Sequence, residues 1–154
     1  MSRFVVGECV YEDLDDLVET MESLFGEGTV ERSVSGNNEL VPYGYHNDSR
    51  EAEIGKVAAT VRRNHISSAS NDLPIIRQAD GTYRVAVSDY DVSAVPRRLG
   101  WEGVKGIDDL LNRIKQVFSV QRMEKGLKKL GYSLEKETTE DGTVHIKANK
   151  YVAT

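Results

Sequence analysis

Two arginine pairs are the residues in this chain best suited to hold a ligand. Arg62-Arg63 runs into Asn64-His65, and Arg97-Arg98 precedes Leu99-Gly100-Trp101, which contains the only tryptophan. A guanidinium stays charged at all ordinary pH and grips a carboxylate or phosphate as a planar fork. Cations beside a stacking aromatic also suit single-stranded nucleic acid. If residues 62–65 are extended, Arg63 and His65 point one way and Arg62 and Asn64 the other. One of these pairs must then face away from the core, because unpaired buried arginines are prohibitive. If a loop over Ala94–Gly103 folds onto that face, Arg62, Arg63, His65, Arg97, Arg98 and Trp101 form one partner-binding patch. The alternative pairs Arg97 and Arg98 with the acidic first helix and leaves no outside partner.

Other chemistry is poorly supported. His46, His65, His145 and Cys9 are scattered, with none at helical ligand spacing, so no metal site is expected. Ser67, Ser68 and Ser70 follow His65, but a nucleophile needs a base within reach, and adjacency along the chain does not supply one. Ser67–Asp72 reads as a polar turn. Asp89 and Asp91 would share a side if the preceding strand continued, yet a solvated loop accounts for them better. No phosphate-cradling glycine motif occurs. The expectation is no catalytic residue and no cofactor.

The elements that must position the arginines follow from spacing. Leu14, Leu17, Val18, Met21, Leu24 and Phe25 fall on one helical face, with Asp13 as a cap, Asp15 and Asp16 at the positive dipole end, and Gly26 and Gly28 as a stop. Short strands are expected over Arg3–Val10 and Thr29–Val34, followed by a turn at Ser35-Gly36-Asn37-Asn38. Residues 48–66 are ambiguous. Ile54, Val57, Ala58 and Val61 have helical spacing behind an Asp48-x-x-Glu51 capping box, while Val57, Ala59, Val61, Arg63 and His65 alternate. Ile75–Arg77 and Tyr83–Val87 flank Asp80-Gly81, a hairpin signal, with Pro74 expected at a strand end. Asp89–Gly106 reads as a loop broken by Pro96, Gly100, Gly103 and Gly106. A long helix follows from Ile107 to Leu130. It carries one stripe of Ile107, Leu110, Leu111, Ile114, Val117 and Phe118, and a second, rotated stripe of Val120, Met123, Leu127 and Leu130. Such a helix either bends near Ser119 or passes between two partners. Glu140-Asp141-Gly142 marks a second hairpin. Antiparallel hairpins and single-striped helices describe an α+β two-layer sandwich, with two principal helices on one face of a mainly antiparallel sheet.

The 154 residues fit a single domain spanning 1–154, with apolar residues at 39% and charged residues at 29%. No apolar run could span a bilayer, and the first residues lack a signal-peptide pattern. A single cysteine leaves no internal disulfide and agrees with a reducing, cytoplasmic setting. The net charge of −5 is unevenly spread. Residues 1–31 hold nine acids against Arg3, whereas residues 97–129 hold nine bases against four acids. Such a bipolar chain can steer a charged partner, or its two helices can simply complement each other. A pI near 5.3 argues against nucleic acid as the main partner.

Several pieces in order resemble one family. They are Met1-Ser2-Arg3-Phe4, Tyr43-Gly44-Tyr45, Arg62-Arg63-Asn64-His65-Ile66, Ser68-Ala69-Ser70-Asn71-Asp72, Asp80-Gly81-Thr82-Tyr83, Ser88-Asp89-Tyr90-Asp91 and Lys129-Leu130-Gly131-Tyr132. This set resembles the family called hypothetical chloroplast reading frame thirty-five, a domain of unknown function. The chain departs from that pattern at Leu73-Pro74-Ile75 and at Gln116-Val117-Phe118-Ser119-Val120. The resemblance favours a strand over Val57–Ile66 and implies no inherited site residue. It also implies an adaptor role beside an AAA-type ATPase of the MoxR kind. The functional expectation is a non-enzymatic protein-binding or regulatory module. The alternatives are a nucleic-acid-binding regulator of phage origin and an enzyme of unrecognised type.

Overall fold

The computed structural model describes residues 4–33, 40–44, 57–140 and 142–150. Met1-Ser2-Arg3, the Ser35–Asn38 turn, Tyr45, His46, the Asp48–Glu51 capping box, Ile54 and Asp141 lie outside the described residues. The elements run β1 (Phe4–Val6), α1 (Leu14–Phe25), β2 (Val30–Arg32), β3 (Val57–Val61), β4 (Leu73–Arg77), β5 (Tyr83–Ser88), α2 (Asp91–Leu99), α3 (Ile107–Lys129), β6 (Tyr132–Thr138) and β7 (Val144–Lys150). Five strands form an antiparallel sheet in the order β1-β5-β4-β3-β2, and β6 and β7 form a separate two-stranded sheet.

Alternation along the strands sorts the sheet's side chains to two faces. Ala59, Val61, Leu73, Ile75, Val85 and Val87 share one core with Leu17, Val18, Met21 and Phe25 of α1, Ala94 and Val95 of α2, and Leu110, Leu111, Ile114 and Phe118 of α3. The other face carries a smaller cluster of Phe4, Leu40, Val57, Ile76 and Ala86. The architecture is therefore α+β, a two-layer sandwich with its helices packed on one sheet face.

Local chemistry explains the clearest elements. Asp13 caps α1 by accepting from the Asp16 amide at 2.9 Å, and Gly26 ends the helix. Asp80-Gly81 turns the β4–β5 hairpin: Gly81 has φ +85°, and Asp80 accepts from both the amide and the hydroxyl of Thr82. Pro74 is the second residue of β4, opposite Thr60, and pairing with β5 begins one residue later at Ile75.

Two expectations need correction. The loop expected over Asp89–Gly106 contains α2. Pro96 costs one hydrogen bond inside it, but Ala94, Val95 and Pro96 itself are buried, and Gly100, directly after Leu99, closes the helix in a left-handed conformation. The strand expected over Val57–Ile66 stops at Val61, and Arg63–His65 form a single 3₁₀ turn. The face-by-face alternation expected of Arg62 to His65 therefore does not apply. The helix α3 buries Leu110, Leu111, Ile114 and Phe118 of its first stripe in the main core, and Val117 and Val120 face the β6–β7 hairpin, while Met123 and Leu130 of the second stripe are exposed.

Candidate functional site

Strand register builds the site at one end of the five-stranded sheet. Val61 pairs with Leu73, so the residues just beyond the pair, Arg62 and Asp72, meet. Glu31 pairs with Thr60 on the other side and reaches the same arginine. The Arg62 guanidinium forks onto Glu31 at 2.8 and 3.1 Å and contacts Asp72 at 2.9 Å and the Val41 carbonyl at 2.8 Å. The hydrogen bond from Arg62 holds the Glu31 carboxyl below its usual range, and Glu31 in turn raises the already high pKa of Arg62.

Asp72 is 1% exposed. Its two oxygens also accept from the Arg63 amide at 2.6 Å and the Tyr43 amide at 2.7 Å. One carboxylate, directly before β4, thus ties that strand to Arg62 and Arg63 after β3 and to the 40–44 segment. Gly44, at φ +89°, lies so close to the Asn71 amide that a side chain there would collide with it.

Asp91 is the second buried carboxylate. It starts α2 and accepts from the Ser88 amide at 2.7 Å and the Asn71 amide at 3.2 Å, tying the end of β5 to the approach to β4. Burial pushes its pKa up to about 6, the nearby Asp72 charge adds to that, and the two amide bonds oppose it. The solvated loop expected for Asp89 and Asp91 holds for Asp89 and fails for Asp91, which is buried. Asp89 is exposed, because β5 ends at Ser88 and the chain turns inward only at Asp91.

The surface above this lattice is cationic and aromatic. The Arg63 guanidinium lies 4.2 Å from the centroid of Tyr43, which is 51% exposed, and donates to the Ser68 carbonyl. Exposed Arg98 donates from Nε to the His65 carbonyl at 3.1 Å, joining the end of α2 to the 3₁₀ turn. Exposed Arg97 stands beside it in the same last turn. Tyr90, half exposed, immediately precedes Asp91.

Of the six residues expected in one patch, the structure joins Arg63, His65 and Arg98, with Arg97 adjacent in sequence. Arg62 lies at the base, where two carboxylates take up its charge. Trp101 is elsewhere: its ring packs against the main core and stacks with Arg113 of α3 at 5.3 Å. The acidic first helix is met by α3 instead of by Arg97 and Arg98. Asp16 contacts Lys125 at 3.0 Å and Arg122 at 3.5 Å, and Glu19 contacts Lys125 at 3.0 Å.

Sequence reasoning gave Tyr43 and Asp72 no role and set Asp91 aside as part of a solvated loop. The available signal was an Asp placed directly before the apolar run Leu73–Ile76, ten residues after an arginine that directly follows another apolar run. Chemically, both buried carboxylates spend their oxygens on backbone amides. A general acid or base must reach the atom it protonates, so this arrangement organises backbone. Among the described residues, no group of His, Cys, Asp and Glu could hold a metal, and no helix is long and apolar enough to cross a membrane. No protein-family model matches the chain, and neither a curated protein nor a solved structure matches it, so this sheet-end geometry is what any functional reading must stand on.

Proposed function

We propose that this chain is a non-enzymatic binding module whose sheet-end surface of Tyr43, Arg63, His65, Arg97 and Arg98 takes an acidic segment of another protein. The supporting observation is the Arg63–Tyr43 stack, held in place because Asp72 bonds the backbone amides of both residues. Tyrosine and arginine dominate the energetics of protein interfaces. Fixing them before binding removes an ordering cost that a flexible surface would bear. The family resemblance extends the reading to an adaptor for an AAA-type ATPase of the MoxR kind.

The test is affinity capture on the immobilised chain at low salt with nucleotide present, comparing wild type with a Tyr43→Ala/Arg63→Ala double variant. The expected result is a protein retained by wild type and lost from the variant, with the variant's thermal unfolding midpoint close to wild type. Retention of the same proteins by both would refute this surface. A second reading, single-stranded nucleic acid, is favoured by the stacked arginine and tyrosine and opposed by the net charge of −5. Anisotropy titration of a labelled mixed-sequence oligonucleotide decides between them: tight binding lost in the same variant would replace the protein partner with nucleic acid.

A further inference from the structure

The five-stranded sheet ends on one side at β1, and α3 leaves a groove of about 530 Å³ beside that edge. Val5, Val6 and Glu8 line it from the strand side, and Asp108, Leu111 and Asn112 from the helix side. We propose that this edge binds an extended segment of another protein in which basic and apolar residues alternate. The segment pairs antiparallel with β1, and its basic side chains sit between Glu8 and Asp108.

Backbone comes first. Gly7 donates to the Val85 carbonyl at 2.9 Å, so its amide points into the sheet. Successive residues of a strand turn their N–H and C=O groups to opposite sides, so those of Val6 point to the open edge. Edge groups of this kind accept another strand. Between the Gly7–Val85 and Tyr11–Tyr83 hydrogen bonds, Glu8, Cys9 and Val10 stand opposite Arg84 alone. Such a bulge re-aims side chains, and here it brings Glu8 to the groove. The two faces give the alternation. Val6 packs with the smaller cluster, so an apolar side chain opposite it extends that cluster. The next side chain of an added strand falls on the helix side, over Val5 and Leu111. Leu111 fixes that wall, because a Cβ on Gly7 would meet it at 2.8 Å. Charge sets the sign. Glu8 and Asp108 are exposed, and among the described residues no lysine or arginine pairs with either. A cation entering between them is attracted by both.

Strands β5 and β4 separate β1 from β3, so this edge and the Arg63 surface fail independently. The full chain is titrated against a fluorescein-labelled peptide of alternating lysine and valine, about eight residues long, and anisotropy is read. The expected result is saturable binding at low salt with a midpoint on the order of 100 μM. The same peptide with glutamate in place of lysine should bind at least about tenfold more weakly. N-methylation of the valines, whose amides face Val6, should weaken binding as much, whereas N-methylation of the lysines, whose amides face solvent, should not. Val6→Pro removes the outward N–H and leaves the hydrogen bonds to β5, so it should abolish binding. Glu8→Gln/Asp108→Asn should weaken binding at least about tenfold, and Glu27→Gln/Glu137→Gln, which makes the same change in net charge at two other exposed acids, should not. If circular dichroism shows that Val6→Pro does not fold, the N-methylated peptides decide alone. Binding that never saturates, undiminished binding of the valine-methylated peptide, equal loss in the two double variants, or a dimer of the free chain that Val6→Pro dissociates would overturn the proposal.

Discussion

Asp72 keeps its place in the interior because Arg62 meets it at 2.9 Å and the amides of Tyr43 and Arg63 fill its remaining lone pairs. An asparagine there has one acceptor oxygen and no charge, so it would leave an amide donor unpaired and the guanidinium partly uncompensated. Asp72→Asn should therefore cost about 2–4 kcal/mol, below a fully buried pair because Arg62 is partly exposed and keeps Glu31. The denaturant midpoint measures this, and an unchanged midpoint would show that the lattice does not organise this end of the sheet. Asp91 behaves differently, because its partners are amides and no cation meets it. Its folded pKa of about 6 exceeds the ordinary carboxyl value, so the folded state holds that proton more tightly than the unfolded chain does. The penalty for burying the charge is complete above pH 6 and is relieved as pH falls towards 4. Wild type should thus gain roughly 1–3 kcal/mol relative to Asp91→Asn between pH 6.5 and 4.5, read as the difference of two unfolding curves at each pH. Glu31 works in the opposite direction, with its stabilisation lost only as pH falls below the ordinary glutamate range.

At the scale of elements, α1 shows how a short helix is stabilised by one face. Leu17 and Met21 are 0% exposed against the sheet, while its acids point to α3 and solvent. Leu17→Asp removes a core side chain and buries an unpaired charge, so it should cost at least about 4 kcal/mol. A thermal midpoint near wild type would mean that the helix is not seated as described. The helix α2 is held by tertiary contacts. Pro96 interrupts its helical signal of Asp91 in the first turn, Arg97 and Arg98 in the last and Gly100 after it, yet Asp91 bonds two amides at its start and Ala94 and Val95 enter the common core. The Arg98 bond to the His65 carbonyl means that any shift of α2 is passed to the 3₁₀ turn carrying Arg63.

Across the whole molecule, burial is concentrated in β3, β4 and β5, whereas β6 and β7 expose most of their residues. A two-stranded sheet is marginal by itself and gains stability only by packing on something else. Amide hydrogen exchange should follow this division. Ile75 and Val85 should exchange only on global unfolding, and the paired amides of Glu135 and Lys147 at least about a hundredfold faster. Equal protection would show that the hairpin and the main sheet open together. Charge also looks different at this scale. Two of the nine acids of residues 1–31, Asp16 and Glu19, meet two of the nine bases of residues 97–129, Arg122 and Lys125, so the α1–α3 contacts offset a part of the sequence asymmetry. Local chemistry alone determined α1, α3 and the two hairpins, because helical apolar spacing and an Asp-Gly turn act over a few neighbouring residues. Tertiary structure decided the rest. Arg62, Asp72 and Glu31 are brought together by strand register, which pairs Val61 with Leu73 and Glu31 with Thr60 across distant parts of the chain. The same non-local packing made a helix across Pro96, enclosed Asp91 and parted Trp101 from the arginines. Each of these depends on what an element is packed against, and periodicity within a segment carries no record of that.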